Sequence, residues 1–466
     1  MDKFETEQKD SRGAKEILKS LRQFFNSYLF YGIETIVACL FVILREEVIG
    51  VVSFAALISL ILLVCEDILP TTLPFLLLCT FSTNCYDSYD TFMSYAIYAP
   101  IVILALIAHF VVYHKPFRLG QSVYGICGVS IALLLGGIGN FGFMEYVYGS
   151  YYILGLGVGM IVCYMLMKSQ FSSRRDYDFR ERFSVIMTLV GTLCVAMIFI
   201  GHLREWLGLP YYIQAGRGFS PNNLATLLMF ALPFPLFLGK RNAYLVPLMF
   251  LFYAGLCLTE SRGGLLMGSV ELAVCCVYWV YEGKNRKFRL GCCCIAIIVV
   301  LLSCGKTIWG VLVDRVFAEN GIIGGDRYNM IPQAIERFLK NPLTGSGILD
   351  NTINYGAYKK QGTMAWYHMM IPQVFGSMGL IGVAAYGYQI LGRIKLIFTK
   401  MNNWSLILGI SYFGILMMSQ VNPGEFCPLP FELLTVLLFI LQEKRLEEEK
   451  LPLCVDRRGK FIKTSV

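Results

Sequence analysis

The sequence predicts an all-α fold, a polytopic transmembrane helical bundle of about 12–14 spans with one large, partly helical external loop. Three observations lead there. Only 15% of the 466 residues are charged and 56% are hydrophobic, whereas a soluble chain carries about a quarter charged residues. The charges are bunched between long apolar runs, and mean hydropathy is +0.59. Lys and Arg are dense in every second connection between those runs, the bias of a chain whose basic loops stay on the cytoplasmic side.

Taken in order, residues 1–27 form a charged cytoplasmic segment. Within it Ile17, Leu18, Leu21, Phe24, Phe25 and Tyr28 fall near helical spacing, which predicts a short interfacial helix. No small-residue cleavage site follows the first apolar run, so no removable signal peptide is expected. Apolar segments then lie near 28–44, 48–65, 68–83, 94–113, 120–139, 148–167, 183–203, 220–238, 242–259, 263–281 and 288–309, and again near 367–391, 402–420 and 428–442. Some are short for a hydrocarbon core of about 30 Å, which takes about 20 helical residues. The third and the last are the shortest, and a twelve-span reading with two re-entrant or interfacial segments stays open. The organisation is therefore a bundle over 28–309, an external loop over 310–366, C-terminal spans over 367–442 and a cytoplasmic tail over 443–466.

Charge orients this bundle. With the N-terminus inside, most of the 40 Lys and Arg fall in the tails and inner connections, among them Lys168, Arg174, Arg175, Lys284, Lys287 and Arg393. The short outer connections hold only Arg45, Arg204, Arg217 and Arg262. The net charge of +8 is thus explained by inner loops facing membrane lipids, and no nucleic-acid partner is implied. The 16 cysteines sit largely inside apolar runs as small hydrophobes, with no His/Cys spacing for a metal. In the external loop, Ile331, Ala334, Ile335, Phe338 and Leu339 make an apolar helical stripe. Pro332 suits a first turn, Asn341-Pro342 ends the helix, and Gly345-Ser346-Gly347 reads as a tight turn.

Few residues carry chemistry. Arg262 stands in Thr259-Glu260-Ser261-Arg262-Gly263-Gly264, a turn between two apolar helices. Its planar fork suits phosphate or pyrophosphate; alternatively it pairs with Glu260 or reaches lipid headgroups. Arg217 precedes Gly218-Phe219-Ser220-Pro221-Asn222, where Pro221 and Asn222 suit a helix N-terminus, either an anion site or an ordinary capped turn. His368, in Trp366-Tyr367-His368-Met369, stands where the loop re-enters the membrane, as a general base or as a member of an aromatic belt. Glu34 and Glu271 are acidic residues within spans, a mark of ion or proton pathways.

Together these stretches resemble the O-antigen ligase and O-antigen polymerase superfamily of bacterial surface-polysaccharide enzymes. The resemblance covers about residues 205–390. It rests on Ser261-Arg262-Gly263-Gly264-Leu265-Leu266, on Asp326-Arg327-Tyr328 followed by Asn341-Pro342-Leu343-Thr344-Gly345-Ser346-Gly347, and on His368 with Gly379-Leu380-Ile381-Gly382. Met369 stands where the family usually has Asn. The resemblance implies a multi-pass enzyme of the cytoplasmic membrane with its active site on the external face. Such an enzyme transfers a glycan from a polyprenyl-pyrophosphate carrier to an acceptor hydroxyl on a glycan or lipid, without cofactor or metal. Arg217 and Arg262 would hold the pyrophosphate, helped by Arg327, Ser261 and Asn222, and His368 would activate the acceptor. The alternative is a polysaccharide flippase or other multi-span transporter, for which deep intramembrane charge and a twofold repeat are expected.

The charge pattern places both termini inside and 310–366 outside. A cysteine replacing Tyr355, in a background without other reactive thiols, should react with an impermeant maleimide on intact cells. Labelling only after the membrane is opened would overturn the orientation.

Overall fold

The computed structural model describes residues 15–84, 95–113, 115–138, 153–170, 178–208, 221–313, 325–347, 367, 369–421, 425, 429–450, 453–455 and 461–463. Every apolar segment of the sequence falls on a helix. In chain order these are α1 (Lys15–Phe25), α2 (Tyr28–Leu44), α3 (Glu47–Val64), α4 (Thr72–Asn84), α5 (Ala99–Val112), α6 (Ser122–Ile138), α7 (Met160–Gln170), α8 (Phe179–Trp206) and α9 (Pro221–Ala231). There follow α10 (Phe234–Leu238), α11 (Pro247–Leu258), α12 (Arg262–Glu282), α13 (Arg286–Gly310), α14 (Gly325–Lys340), α15 (Met370–Phe398), α16 (Asn403–Met418) and α17 (Leu429–Lys450). A short antiparallel ladder, β1 (Leu453–Val455) on β2 (Phe461–Lys463), lies near the C-terminus.

Among the described residues, five helices are long and apolar enough to cross a membrane alone. They are α8, α12, α15, the run Pro221–Leu238 and the run Arg286–Val313. A sixth span results if α1 and α2, bent by 65° at Ser27, count as one. The apolar segments near 68–83, 242–259 and 402–420 form helices shorter than the runs that predicted them. Composition marks where the chain is apolar, while local backbone chemistry decides how much of each run is α-helix. Residues 153–159 form a π-turn ahead of α7, and Pro70 opens a 3₁₀ turn ahead of α4. The predicted interfacial helix is α1. Its Arg22 donates to the Val64 carbonyl at the end of α3 (2.8 Å) and to the Tyr113 hydroxyl (3.1 Å).

The chain divides into two units. The first comprises 1–116, 169–264 and 291–304. Its centre is α8, which packs on α2, α9, α10 and α11. Helices approach closely where side chains vanish, as membrane interfaces require. A Cβ on Gly191 would stand 2.7 Å from the Phe252 ring and 2.9 Å from Ala231. Arg204 donates to the Ile43 carbonyl (2.7 Å) and so satisfies the end of α2, where Arg45 takes a left-handed conformation. That is an ordinary structural task for two of the outer arginines.

The second unit comprises 117–168, 265–290 and 305–466. There α15 packs on α6, α14, α16 and α17. Val129, Leu133, Val374 and Met378 form part of its core. Two residues assigned by the sequence to inner loops lie instead inside helices and are buried. Lys168, on α7, pairs with Glu447 (2.7 Å) and Glu443 (3.2 Å) of α17. Arg393, on α15, pairs with Glu425 and Glu432. Both helices run on past the apolar stretch because their charges find partners within the bundle. The expected first-turn role of Pro332 is also corrected. Helix α14 begins at Gly325, so Pro332 lies inside it.

Candidate functional site

The candidate residues fall in two groups, one in each unit. In the first unit the Thr259–Arg262 turn joins α11 to α12. Glu260 takes a positive φ of 57°, which reverses the chain after Leu258. Thr259 donates its hydroxyl to the Leu256 carbonyl (2.7 Å) and accepts from the Ser261 amide (3.2 Å). The Ser261 hydroxyl accepts from the Gly264 amide (3.1 Å), so Ser261 is the N-cap of α12. The same hydroxyl donates to Asn222 Oδ1 at 2.8 Å. Asn222 is the second residue of α9, behind Pro221. One serine therefore caps one helix and ties it to the start of another.

Small side chains permit this. A Cβ on Gly264 would stand 2.8 Å from the Cβ of Ala225 on α9. The N-terminal ends of α9 and α12 thus abut. Each carries about half a positive charge, and the first N–H groups of each helix have no intrahelical partner. Arg262, half-buried at the first position of α12, adds a full charge. The corner is a concentration of positive potential built from backbone and guanidinium, suited to a multiply charged anion. His202 on α8 ties the end of α11 beside it by donating from Nε2 to the Leu258 carbonyl (3.0 Å). That bond leaves no trace in the sequence, because it pairs a helix end with a remote backbone carbonyl.

In the second unit the motif Asn341–Gly347 is more than the tight turn read in the sequence. Helix α15 breaks at Gly379, whose φ of 60° and ψ of −155° suit glycine alone. In a continuous helix the Gly376 and Ser377 carbonyls would accept from the amides of Leu380 and Ile381. Here those carbonyls accept from Ser346 (3.1 Å) and Gly347 (3.0 Å) instead. The Leu380 and Ile381 amides donate to Pro342 (2.9 Å) and Leu343 (3.1 Å). The turn is laced through the helix, and four bonds replace two.

The glycines of the motif explain themselves at this crossing. Gly345 and Gly347 have φ of 71° and 77°. A Cβ on Gly345 would collide with the Ser377–Met378 backbone, and one on Gly379 would stand 2.6 Å from the Leu343 oxygen. Gly382 leaves room for the Met378 side chain. Gly136, on α6, closes the third side, where a Cβ would stand 2.9 Å from the Thr344 carbonyl.

The lacing fixes the end of the segment that starts with α14 on α15. Arg337, buried on α14, donates to the Tyr367 hydroxyl (3.4 Å) and the Ser346 carbonyl (3.3 Å). Phe338 stacks on Phe375 with ring centroids 3.8 Å apart. The Tyr367 amide donates to Gln373 Oε1 (3.0 Å), and the Met370 amide to the Ser419 carbonyl (2.8 Å). Arg337, Tyr367 and Gln373 were not singled out in the sequence. Arg337 was hidden among the charges of an amphipathic helix that looks solvent-facing.

Of the sequence candidates, Asn222, Ser261 and Arg262 are brought together at one corner. Arg327 lies on α14, with its side chain outside the described residues. Arg217 and His368 lie outside the described residues. The described neighbours of His368, Tyr367 and Met369, are both buried.

Comparison with known proteins gives one finding. The O-antigen ligase family model matches residues 247–387. No curated protein and no solved structure matches the chain. The matched stretch runs from α11 through the Ser261-Arg262 corner, residues 310–366 and the laced break. The resemblance read in the sequence is borne out there, while Asn222 and Arg217 precede the match.

Gly379→Ala forces a Cβ into a backbone region open to glycine and against the laced turn. We expect a loss of about 1–3 kcal/mol or more, read as a lower thermal midpoint in detergent. Gly387→Ala, on the same helix with nothing within 4 Å of its new methyl, should leave the midpoint unchanged. Equal midpoints for Gly379→Ala and wild type would show that the break is not needed.

Proposed function

We propose, from the match of residues 247–387 to the O-antigen ligase family model, that the chain is a membrane glycosyltransferase using a polyprenyl-pyrophosphate-linked glycan. It moves that glycan to an acceptor hydroxyl at the outer face of the cytoplasmic membrane, in surface-polysaccharide synthesis. The acceptor oxygen attacks the anomeric carbon as the bond from that carbon to the pyrophosphate oxygen breaks. The hydroxyl proton passes to His368, and the carrier leaves as pyrophosphate. The leaving group gathers negative charge, so the main need is fixed positive charge aimed at it. The single observation carrying this reading is the corner at Asn222, Ser261 and Arg262, where two helix N-termini abut beside a guanidinium. Arg217 and Arg327 would add charge to the same group.

One observation favours a second reading. Glu34 and Glu271 are buried, and neither carboxylate has a hydrogen-bond partner. Buried acids of this kind mark proton or ion pathways in transporters. Transfer by purified protein in vesicles, from lipid-linked glycan to added acceptor, separates the two. A flippase moves the donor across the bilayer and makes no new glycosidic bond. In a deletion strain, loss of long chains on the carrier identifies a polymerase, and accumulated long chains a ligase.

Arg262→Lys keeps the charge and loses the two-point fork. It should insert normally and lose most transfer; near wild-type transfer would make Arg262 a headgroup anchor. His368→Ala should lower the transfer rate by roughly 10²–10⁴-fold with donor binding nearly intact. A rate within about threefold of wild type would leave His368 an aromatic-belt residue, and binding lost in step with rate would move it to the pyrophosphate site.

A further inference from the structure

Away from that corner, the second unit holds a cluster whose charges do not balance. Arg393 is 2% exposed and forms ion pairs with Glu425 Oε1 and, at 3.5 Å, with Glu432 Oε1. Its guanidinium also lies over the Phe439 ring (5.3 Å) and the Tyr412 ring (5.7 Å). The Tyr412 hydroxyl donates to Glu425 Oε1 (3.0 Å). The Gln389 amide fits when turned so that its oxygen accepts from Arg393 (2.7 Å) and its nitrogen donates to the Gly125 carbonyl (3.2 Å).

The second oxygens of both carboxyls, Glu425 Oε2 and Glu432 Oε2, are buried without a hydrogen-bond partner. The groups facing the site are Arg393 and Tyr386 from α15, Tyr412 from α16, Glu432 from α17 and Glu425 from the turn between them. Arg393 is the one cation among these described residues. Two ionised carboxylates against one guanidinium would leave a net negative charge out of water, which is strongly unfavourable. Two orphaned acceptor atoms would add to the cost.

We infer that Glu425 and Glu432 hold one proton between them, making this cluster a buried proton-binding site. The proton cancels the excess charge and turns one orphaned oxygen into a donor. The site is also placed to matter at a distance. The Glu425 amide donates to Ser419 Oγ (2.7 Å), and the Ser419 carbonyl accepts from the Met370 amide (2.8 Å). Met370 opens α15, two residues after His368. The backbone of Glu425 is thus two hydrogen bonds from the start of α15. The proton is bound more tightly in the folded protein than in the unfolded chain, so stability falls as pH rises and the site empties.

The test uses the full chain in nanodiscs. Infrared spectra with ¹³C-labelled glutamate, in H₂O and D₂O, are compared between wild type and Glu432→Gln at neutral pH. One protonated-carboxyl band should be lost in the variant, while any bands from Glu34 and Glu271 stay. The thermal midpoint of wild type should fall on going alkaline, and that of the variant should fall less. Glu425→Gln is the second variant, should the first fail to insert, because either carboxyl can be the neutral one. Superimposable carboxyl bands in wild type and variant would mean both acids are ionised, which overturns the proposal. So would a wild-type midpoint that follows sodium or potassium concentration at fixed pH and ignores pH, since the balancing charge would then be an alkali cation.

Discussion

A backbone N–H or C=O inside a membrane protein has no water to turn to, and leaving one unpaired there costs several kcal/mol. The break in α15 would orphan four such groups. The Pro342–Gly347 turn pairs all four. That exchange lets a long apolar helix break where the Pro342–Gly347 turn crosses it. It also holds the turn to the helix through backbone, which no surface contact between side chains could do as firmly. The packing of Arg337 against Tyr367, and of Phe338 against Phe375, depends on where the turn is held.

The Ser261 corner uses the same economy in the other unit. Helix N-termini cannot satisfy their own first amides, and burying two of them side by side is unfavourable unless something negative joins them. Ser261 and Asn222 answer part of that need by bonding each other and the Gly264 amide. In the proposed function the remaining positive potential would meet the pyrophosphate, with Arg262 beside it. Local requirements of helix capping and close packing, met by Ser261, Pro221 and Gly264, thus bring two helix N-termini to one corner.

Much of this was legible before any coordinates. Apolar runs marked each helix, because lipid and core both demand apolar side chains. The motif glycines marked places where backbone comes close to backbone. What could not be read was partnership. Nothing in Ser346-Gly347 says that its amides belong to carbonyls some thirty residues on. Arg393 looked like an inner-loop charge because its carboxylate partners lie on other elements. Pro332 looked like a helix start because proline favours first turns, yet the helix began earlier, at Gly325. Local chemistry is written in neighbouring residues, and tertiary pairing is not.

The laced break also imposes an order of assembly. The turn precedes α15 in the chain, so in the proposed orientation it has already crossed the membrane when residues 370–398 emerge. Those residues must enter lipid with their own amides and carbonyls paired, as an unbroken helix. Only afterwards can the waiting turn take over the bonds around Gly379. Insertion and maturation are therefore distinct events for this helix, and the glycine that permits the second must not spoil the first.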